Sequence, residues 1–351
     1  MNTVSEKRQA LIQALFPAGV PRLWCPLLTH YRKDGRIDFD RMSAHFHRVV
    51  PWVKGFLIPG STGDGWELDD EETAQVTEFA MQQAQKHEIN LLLGVLKADT
   101  EIMIREISGL WTRYVGKKMA WDDEDTIRML RTRRICGFTI CPPRGKELSQ
   151  KKIETSLAEI LALGAPIALY QLPQVTENEV SPDTFENLIG KYANLVFFKD
   201  SSGQDRIAVS GRDKGGAYMV RGAEGNYAGW LRDSGGPYDG FLLSTANCFA
   251  QELYDLIRNL EKGDLKTAGE LSERMSGAIR DVFSLVQPLP CGNAFTNANK
   301  AIDHFFAFGP SAMAMEGPTL HAKVSIPADI IVATGDILSR YSLMPEKGYL
   351  A

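Results

Sequence analysis

The stretch VFFKDSSG, residues 196–203, starts as an apolar run typical of a buried strand and ends in polar residues, with Lys199 at the change. Eight such runs alternate with amphipathic segments along the chain, which indicates a parallel sheet covered by helices. They are RLWCPLLTHY (22–31), GFLIPGSTG (55–63), NLLLGVL (90–96), GFTICPP (137–143), PIALYQLP (166–173), VFFKDSSG (196–203), AYMVRGAEG (217–225) and YDGFLLSTAN (238–247). The count predicts an α/β fold of the (β/α)8 TIM barrel type, and a doubly wound open sheet is the alternative.

The order of these runs also predicts how the chain is divided. Residues 21–262 hold the eight runs and form the predicted barrel, and residues 1–20 precede it as an N-terminal segment. The long connection between the third and fourth runs predicts an inserted, charged helix or lid near residues 109–134. After the eighth run the pattern becomes helical, which predicts a helical C-terminal extension over residues 263–351.

Composition excludes several classes of protein. A length of 351 residues with 44% hydrophobic content allows a large core, and a net charge of -5 without a basic stripe argues against a nucleic-acid partner. Because no segment resembles a signal peptide or reaches membrane-spanning length, we expect a soluble, cytoplasmic protein. Five scattered cysteines are typical of reduced thiols and imply no metal. The six histidines form no catalytic motif: His45 and His47 are two apart on a predicted helix and face different directions, and the other four are expected to be isolated, His30, His87, His304 and His321.

Polar side chains follow several of the predicted strands at the point where each strand ends. The second run ends in GSTGDG, which places Ser61 and Thr62 in a glycine-bracketed turn whose N–H groups suit a carboxylate or phosphate. The fifth run ends at Tyr170 and the sixth at Lys199. Active sites of (β/α)8 barrels lie at the carboxyl ends of the strands, so these residues are the candidate site.

A lysine in such a place has a specific chemistry. Burial disfavours the ammonium form and lowers its pKa, so that Lys199 would supply a free amine able to form a Schiff base with a ketone. The protonated imine is an electron sink, and it stabilises the enamine formed when a neighbouring bond to carbon or hydrogen breaks. Tyr170 is placed to shuttle the proton. The pattern predicts chemistry through a Schiff base and an enamine.

Three motifs carry a resemblance to a known family. GSTGDGWELDDEE (60–72) resembles the carboxylate-binding turn, YQLPQVT (170–176) the tyrosine motif and FFKDSSG (197–203) the Schiff-base lysine motif of the dihydrodipicolinate synthase and N-acetylneuraminate lyase family. RGAEG (221–225) and GFLLSTAN (240–247) are similar to its seventh and eighth strand ends. The resemblance extends over roughly residues 20–310 and keeps the motifs in the family's order.

The resemblance implies an activity and a set of site residues. It implies a lyase or aldolase in which Lys199 forms an imine with pyruvate or a related 2-oxo acid. An aldehyde is the implied second reactant, and no metal or organic cofactor is implied. It makes Lys199, Tyr170 and Ser61 catalytic. It also implies a homo-oligomer, a tetramer or a dimer. The residues implied for substrate binding are Gly60, Thr62, Gly222 and Leu242.

Two departures from the family pattern concern the second substrate. Synthases of the family that act on aspartate semialdehyde usually carry an arginine where this chain has Val175, and a tyrosine where it has Arg144. We hypothesise that Arg144 supplies the cation that Val175 lacks, and we include it among the substrate-binding residues. The alternatives are dihydrodipicolinate synthase activity itself and a barrel that has lost turnover and only binds a 2-oxo acid.

Overall fold

The computed structural model describes residues 3–116 and 118–351, and eight strands alternate with helices along them. The strands are β1 (Leu23–Cys25), β2 (Gly55–Ile58), β3 (Asn90–Gly94), β4 (Ile135–Ile140), β5 (Ile167–Gln171), β6 (Leu195–Asp200), β7 (Tyr218–Arg221) and β8 (Gly240–Leu242). Each strand lies within or beside one of the eight apolar runs, because strands buried on both faces require nearly continuous apolar sequence.

The helices fill the segments between the strands and most of the C-terminal region. They are α1 (Val4–Leu15), α2 (Phe39–Val49), α3 (Asp70–His87), α4 (Thr100–Tyr114), α5 (Glu124–Arg133), α6 (Gln150–Leu161), α7 (Pro173–Thr176), α8 (Pro182–Lys191), α9 (Arg206–Val209), α10 (Ala250–Glu261), α11 (Leu265–Val286), α12 (Ala294–Phe308) and α13 (Ala328–Arg340). Many begin at a polar side chain that accepts a hydrogen bond from the first turn, as Ser149 does for α6 and Asp264 for α11.

The eight strands form a closed barrel in chain order, which confirms the predicted (β/α)8 fold and excludes the open sheet. Every neighbouring pair with a defined register is parallel. The eighth strand closes on the first, since the Phe241 N–H donates to the Arg22 carbonyl at 2.7 Å and the Leu243 N–H to the Trp24 carbonyl at 3.3 Å.

The chain divides into two compact units. The first unit consists of Met1–Arg22, Ala80–Ala223 and Pro237–Phe241. Its predicted inserted segment, residues 109–134, contains the end of α4 and all of α5, and Lys117 within it lies outside the described residues. The boundaries of that insertion stay a prediction.

The N-terminal helix α1 contributes a buried arginine to the first unit. Arg8 is fully buried and donates through Nε to the Leu195 carbonyl at 2.8 Å and through a terminal nitrogen to the Tyr192 carbonyl at 2.9 Å. Its guanidinium also donates to the carbonyls of Ile189 and Gly215. One side chain therefore satisfies four carbonyl groups from the end of α8, the start of β6 and the loop before β7.

The second unit consists of Leu23–Phe79, Glu224–Gly236 and Leu242–Ala351. It contains α10, α11, α12 and α13, which confirms that the C-terminal region is helical. Helix α11 carries Gly277 where Tyr341 packs against it, and a Cβ at that position would collide with the tyrosine ring. Within the described residues, no helix combines the length and the apolar character needed to cross a membrane.

Candidate active site

Lys199 and Tyr170 lie side by side at the carboxyl ends of β6 and β5. The two residues are partners in the parallel register, and both side chains are buried, at 4% and 3% exposure. The lysine Nζ lies 3.8 Å from the centroid of the tyrosine ring, within the range of an attractive contact between a cation and an aromatic face. The structure thus brings together the two residues that the sequence assigned to Schiff-base chemistry.

The strand pattern determines which way Lys199 points. Side chains alternate between the two faces of a strand, so Phe198 and Lys199 face opposite sides. Phe198 packs on Phe185 of α8 with ring centroids 4.9 Å apart, on the outer face of β6. Lys199 therefore points to the inner face, on the same side as Tyr170.

A glycine after β7 leaves room for the lysine side chain. The Gly222 N–H donates to the Asp200 carbonyl at 2.7 Å, which holds the segment close to the end of β6. A Cβ on Gly222 would lie 2.7 Å from Lys199 Cε and would also collide with Ser201 Oγ. A larger residue at this position would displace the lysine, so the structure places Gly222 directly against the candidate nucleophile.

Asp200, the neighbour of Lys199, is a buried carboxyl group that the sequence analysis did not single out. Its Oδ1 accepts hydrogen bonds from Ser202 N at 2.9 Å and Ser202 Oγ at 2.6 Å. No described residue donates to Oδ2, which is buried. Burial raises the pKa of Asp200 to about 6, because the two Ser202 hydrogen bonds do not offset the loss of hydration.

This raised pKa predicts a stability cost that appears as the pH increases. Between about pH 4 and pH 6 the folded protein holds a proton on Asp200 that the unfolded chain has released, so stability decreases across this range. Asp200→Asn removes the titration and keeps the acceptor for Ser202. The difference in free energy of unfolding, variant minus wild type, is expected to increase by about 2 kcal/mol from pH 4 to pH 7. Urea denaturation at several pH values measures it, and a difference independent of pH would contradict the assignment.

A second buried network joins the loop after β6, the end of β7 and the segment just before β8. Arg221 and Asp205 form a two-point ion pair, with Nε to Oδ1 at 3.0 Å and a terminal nitrogen to Oδ2 at 3.1 Å. The Tyr238 hydroxyl donates to Asp205 Oδ1 at 2.6 Å. The three residues come from separate segments and leave no local motif, so sequence reasoning missed them. They fix the loop that follows Lys199.

Arg144 lies after β4 at the surface and already has a partner. Its Nε donates to Glu177 Oε1 at 3.1 Å, and a terminal nitrogen contacts the same oxygen. The Arg144 side chain is 58% exposed. The sequence indicated a cation in this place but gave no sign of Glu177, which is 33 positions away.

The glycine-bracketed turn of the second unit is a short 3-10 turn over Ser61–Gly63. The Gly60 carbonyl accepts from the N–H groups of Gly63 and Gly65, both at 3.0 Å. Thr29 Oγ1 donates to the Gly63 carbonyl at 2.7 Å. Because the first N–H groups of such a turn have no acceptor within it, they are available to an anion.

Helix α12 holds the same turn from its other side. Asn293 Nδ2 donates to the Ser61 carbonyl at 3.1 Å, and Thr296 Oγ1 donates to the Thr62 carbonyl at 3.0 Å. Thr62 is buried and Ser61 is partly exposed. The carbonyl groups of the turn are thereby engaged by protein, which orients the whole peptide segment. Asn293 and Thr296 are more than 230 positions from the turn, and the sequence alone gave no signal for them.

Leu242 ends β8 in the second unit and is buried at 1% exposure. The segment after it is fixed by Glu224, which accepts from Ser244 Oγ at 2.5 Å and from Thr245 N at 3.1 Å. Tyr227 and Thr245 hydroxyls donate to the other carboxylate oxygen at 2.8 and 2.7 Å. The acidic residue of the RGAEG motif therefore has a structural role beside Leu242.

The expectation that His30 is isolated is wrong. His30 Nε2 lies 3.0 Å from His45 Nδ1, and each imidazole has a nitrogen 3.7 Å from the Asp303 carboxylate. These three groups are close enough to hold a metal ion. Arg41 Nη2 already contacts Asp303 at 3.0 Å, and His45 Nε2 lies 2.9 Å from the Asn247 carbonyl. The donors are thus engaged by protein groups, and the cluster is a structural network.

Burial and charge set the protonation of this histidine cluster. Burial lowers the pKa of both His30 and His45, so both imidazoles are neutral near pH 7. Burial alone would raise the pKa of Asp303, but the cationic surroundings dominate and lower it. Of these, Arg41 and Arg48 are the permanent charges, since the imidazoles are neutral. The cluster therefore carries one stable ion pair.

Comparison with known protein families gives a match over the central part of the chain. Residues 135–298 match the model of the Dihydrodipicolinate synthetase family. Two similar proteins are the 4-hydroxy-tetrahydrodipicolinate synthases of Lactococcus lactis subsp. cremoris (strain MG1363) and Methanospirillum hungatei JF-1. They are 20% identical over 283 residues and 25% identical over 285 residues, and each alignment covers 80% of this chain and 88% of the relative.

Solved structures show the same fold. Dihydrodipicolinate synthase from Aquifex aeolicus aligns with a TM-score of 0.68 and 18% identity, over 93% of this chain and 100% of its own. A 2-keto-3-deoxygluconate aldolase variant from Sulfolobus solfataricus aligns with a TM-score of 0.67 and 14% identity, over 92% of this chain and 96% of its own. At these identities the likeness extends to the barrel fold and not to a substrate.

Proposed function

We propose a function for this chain as a member of the Dihydrodipicolinate synthetase family, to which its motifs pointed and whose model residues 135–298 match. It is a lyase or aldolase that forms a Schiff base between Lys199 and pyruvate or a related 2-oxo acid, and makes or breaks a carbon-carbon bond through an enamine. The observation that carries this proposal is the buried Lys199 Nζ at 3.8 Å from the Tyr170 ring centroid.

The proposed reaction starts at the lysine amine. The neutral amine of Lys199 attacks the ketone carbon, and uptake of one proton with loss of one water gives the protonated imine. Loss of a proton, or of an aldehyde, from the adjacent carbon then leaves an enamine, with the electron pair stabilised by the imine nitrogen. Tyr170 delivers and removes protons as general acid and base. The apolar strand residues around the pair keep bulk water away from these steps.

The 3-10 turn is the proposed binding segment for the carboxylate of the 2-oxo acid. Ser61 and Thr62 supply hydroxyl and backbone N–H groups there, following Gly60. Their carbonyl groups are held by α12, so the N–H groups need little rearrangement on binding. We also propose that Gly222 and the backbone of Leu242 line the substrate site.

The second substrate is proposed to be an aldehyde. Arg144 would bind an acidic aldehyde by exchanging Glu177 for the substrate carboxylate. An exposed ion pair contributes only about 0–1 kcal/mol, so the exchange costs little. Condensation with aspartate semialdehyde is the second candidate activity, favoured by the names of the relatives and opposed by Val175. A direct assay with that aldehyde separates the two.

Exchange of the methyl protons of pyruvate in D2O tests the proposal without knowledge of the aldehyde. Each reversible passage through the enamine replaces a methyl proton by deuterium, so the pyruvate methyl signal in proton NMR should decrease in the presence of enzyme. If the signal is lost only at the uncatalysed rate and borohydride traps no pyruvate adduct on Lys199, both proposed activities are excluded, the lyase or aldolase and the condensation with aspartate semialdehyde. An imine without exchange would favour a barrel that only binds the 2-oxo acid.

Tyr170→Phe tests the assignment of the proton relay. The variant keeps the ring that packs on Lys199 Nζ and loses the hydroxyl, so exchange should slow by about 100- to 1,000-fold while the imine still forms. Tyr218→Phe is the matched control, since that hydroxyl contacts backbone carbonyls of Pro21 and Asp239. Unchanged exchange in Tyr170→Phe would remove the tyrosine from the mechanism.

A further inference from the structure

A buried lysine contacts the residue that follows the 3-10 turn. Lys300 Nζ, in α12, contacts Asp64 Oδ2 at 2.7 Å, and the two side chains are 1% and 2% exposed. The Tyr31 hydroxyl donates to the same carboxylate oxygen at 3.1 Å. The lysine Nζ also lies 4.4 Å from the centroid of the Tyr31 ring. The three groups form a compact charged cluster, which we call the Lys300 cluster.

Such a pair is a weak source of stability. Removing an ammonium and a carboxylate from water costs several kcal/mol for each ion, and their attraction often does no more than offset it. A lysine that is buried this completely is uncommon in proteins. The position of the pair therefore calls for a role other than holding the fold.

The position of Asp64 indicates that role. Asp64 directly follows the turn in the left-handed backbone region, with φ 60° and ψ 24°. It is therefore two and three residues away from Thr62 and Ser61, the residues proposed to bind a carboxylate. A negative charge at this distance, inside the protein, would repel the substrate anion.

The helix that carries Lys300 also holds the turn. Asn293, at the start of α12, and Thr296 donate to carbonyl groups of the turn, and Lys300 follows Thr296 by one helical turn on the same face. The helix thus supplies two hydrogen-bond donors to the turn and one positive charge to the carboxylate that ends it. One helix therefore determines both the position of the turn and the net charge next to it.

We propose that Lys300 is a positioning residue for the carboxylate site: it neutralises the charge of Asp64, so that the N–H groups of the turn can donate hydrogen bonds to the carboxylate of the 2-oxo acid. This inference rests on the proposed function. Lys300 acts through Asp64 and not on the reacting carbon. Its loss is therefore expected to weaken substrate binding and to leave the maximal rate of enamine formation nearly unchanged.

The test measures how trapping by borohydride depends on substrate concentration, for pyruvate and for its neutral methyl ester. In Lys300→Met the half-saturating pyruvate concentration should increase about tenfold, while that for methyl pyruvate stays unchanged. Asp64→Asn should lower the half-saturating pyruvate concentration or leave it unchanged. The double variant Lys300→Met/Asp64→Asn should return close to the wild type, because both charges are then absent.

Arg41→Met is the matched control. It also removes a partly buried cation that contacts a carboxylate on α12, but this cation pairs with Asp303 and not with Asp64. It should reduce stability without changing the pyruvate dependence. If Lys300→Met keeps the wild-type dependence, or if Asp64→Asn raises the pyruvate value, the charge role is wrong. The Asp64→Asn measurement tests the charge role even if Lys300→Met does not fold. A wild-type protein that forms no adduct at all would instead overturn the proposed function, and this inference with it.

Discussion

Lys199→Arg is expected to abolish the exchange of pyruvate protons, with a loss of at least about 10,000-fold. Arginine retains the positive charge and much of the length of lysine, so it can keep the contact with the Tyr170 ring. Its guanidinium is not deprotonated in proteins and cannot form an imine. The measurement is the rate of loss of the pyruvate methyl signal in D2O at saturating pyruvate.

The control for this variant is Lys191→Arg, an exposed lysine of α8. It should exchange pyruvate protons at the wild-type rate. Circular dichroism and urea denaturation show whether Lys199→Arg remains folded. A folded Lys199→Arg protein that keeps more than about one hundredth of the wild-type exchange would show that another group carries the chemistry.

Arg8→Ala is expected to cause the largest loss of stability among single changes in α1. The substitution leaves the four carbonyl groups that Arg8 binds without their donor, and each hydrogen bond to a charged group contributes about 1.5–3 kcal/mol. Water can hydrogen-bond to some of these carbonyl groups in the variant and offset part of the loss. We therefore expect a decrease of about 3–5 kcal/mol in the free energy of unfolding. Urea denaturation at pH 7 measures it.

The charge on Arg8 persists under these conditions. Burial lowers its pKa to about 10, and the nearby Asp213 carboxylate opposes the change. Arg8→Lys should lose less stability than Arg8→Ala, because an ammonium keeps the charge but cannot reach four carbonyls at once. Lys7→Ala, at the exposed neighbouring position, should change stability by less than about 0.5 kcal/mol. A loss in Arg8→Ala no larger than in Lys7→Ala would refute the role of this network.

The barrel was predictable from the sequence because its strands are buried on both faces. A strand such as β6 must then be a short apolar run, and polar residues appear only where it ends. That local rule indicated eight strands and placed Lys199 and Tyr170 at strand ends. The parallel register of β5 and β6 then places these two residues side by side.

The support of the candidate site was not predictable in this way. Asn293, Thr296 and Lys300 act on a turn more than 230 positions away, and their contacts exist only after α12 has docked. The pairing of His30 with His45 likewise requires the approach of two segments that carry no shared motif. Side chains whose partners are set by tertiary packing leave no periodicity in the sequence.

Arg144 illustrates the same limit at the surface. The residues around it indicated a cation near the site, and the structure adds Glu177 as its partner. The sequence gives the charge of Arg144. Whether that charge is available to a substrate depends on Glu177, which only the folded structure brings next to it. In the proposed role of Arg144, an acidic second substrate binds only when this exposed ion pair opens, and the aldehyde assay tests that role.

The most direct test of the central claim is the location of the covalent adduct. The protein is incubated with pyruvate, reduced with borohydride and digested, and the peptides are analysed by mass spectrometry. A reduced pyruvate adduct on the peptide that contains Lys199, absent from Lys199→Arg, is the expected result. An adduct on a different lysine, or none at any pyruvate concentration, would contradict the assignment of this chain as a Schiff-base enzyme.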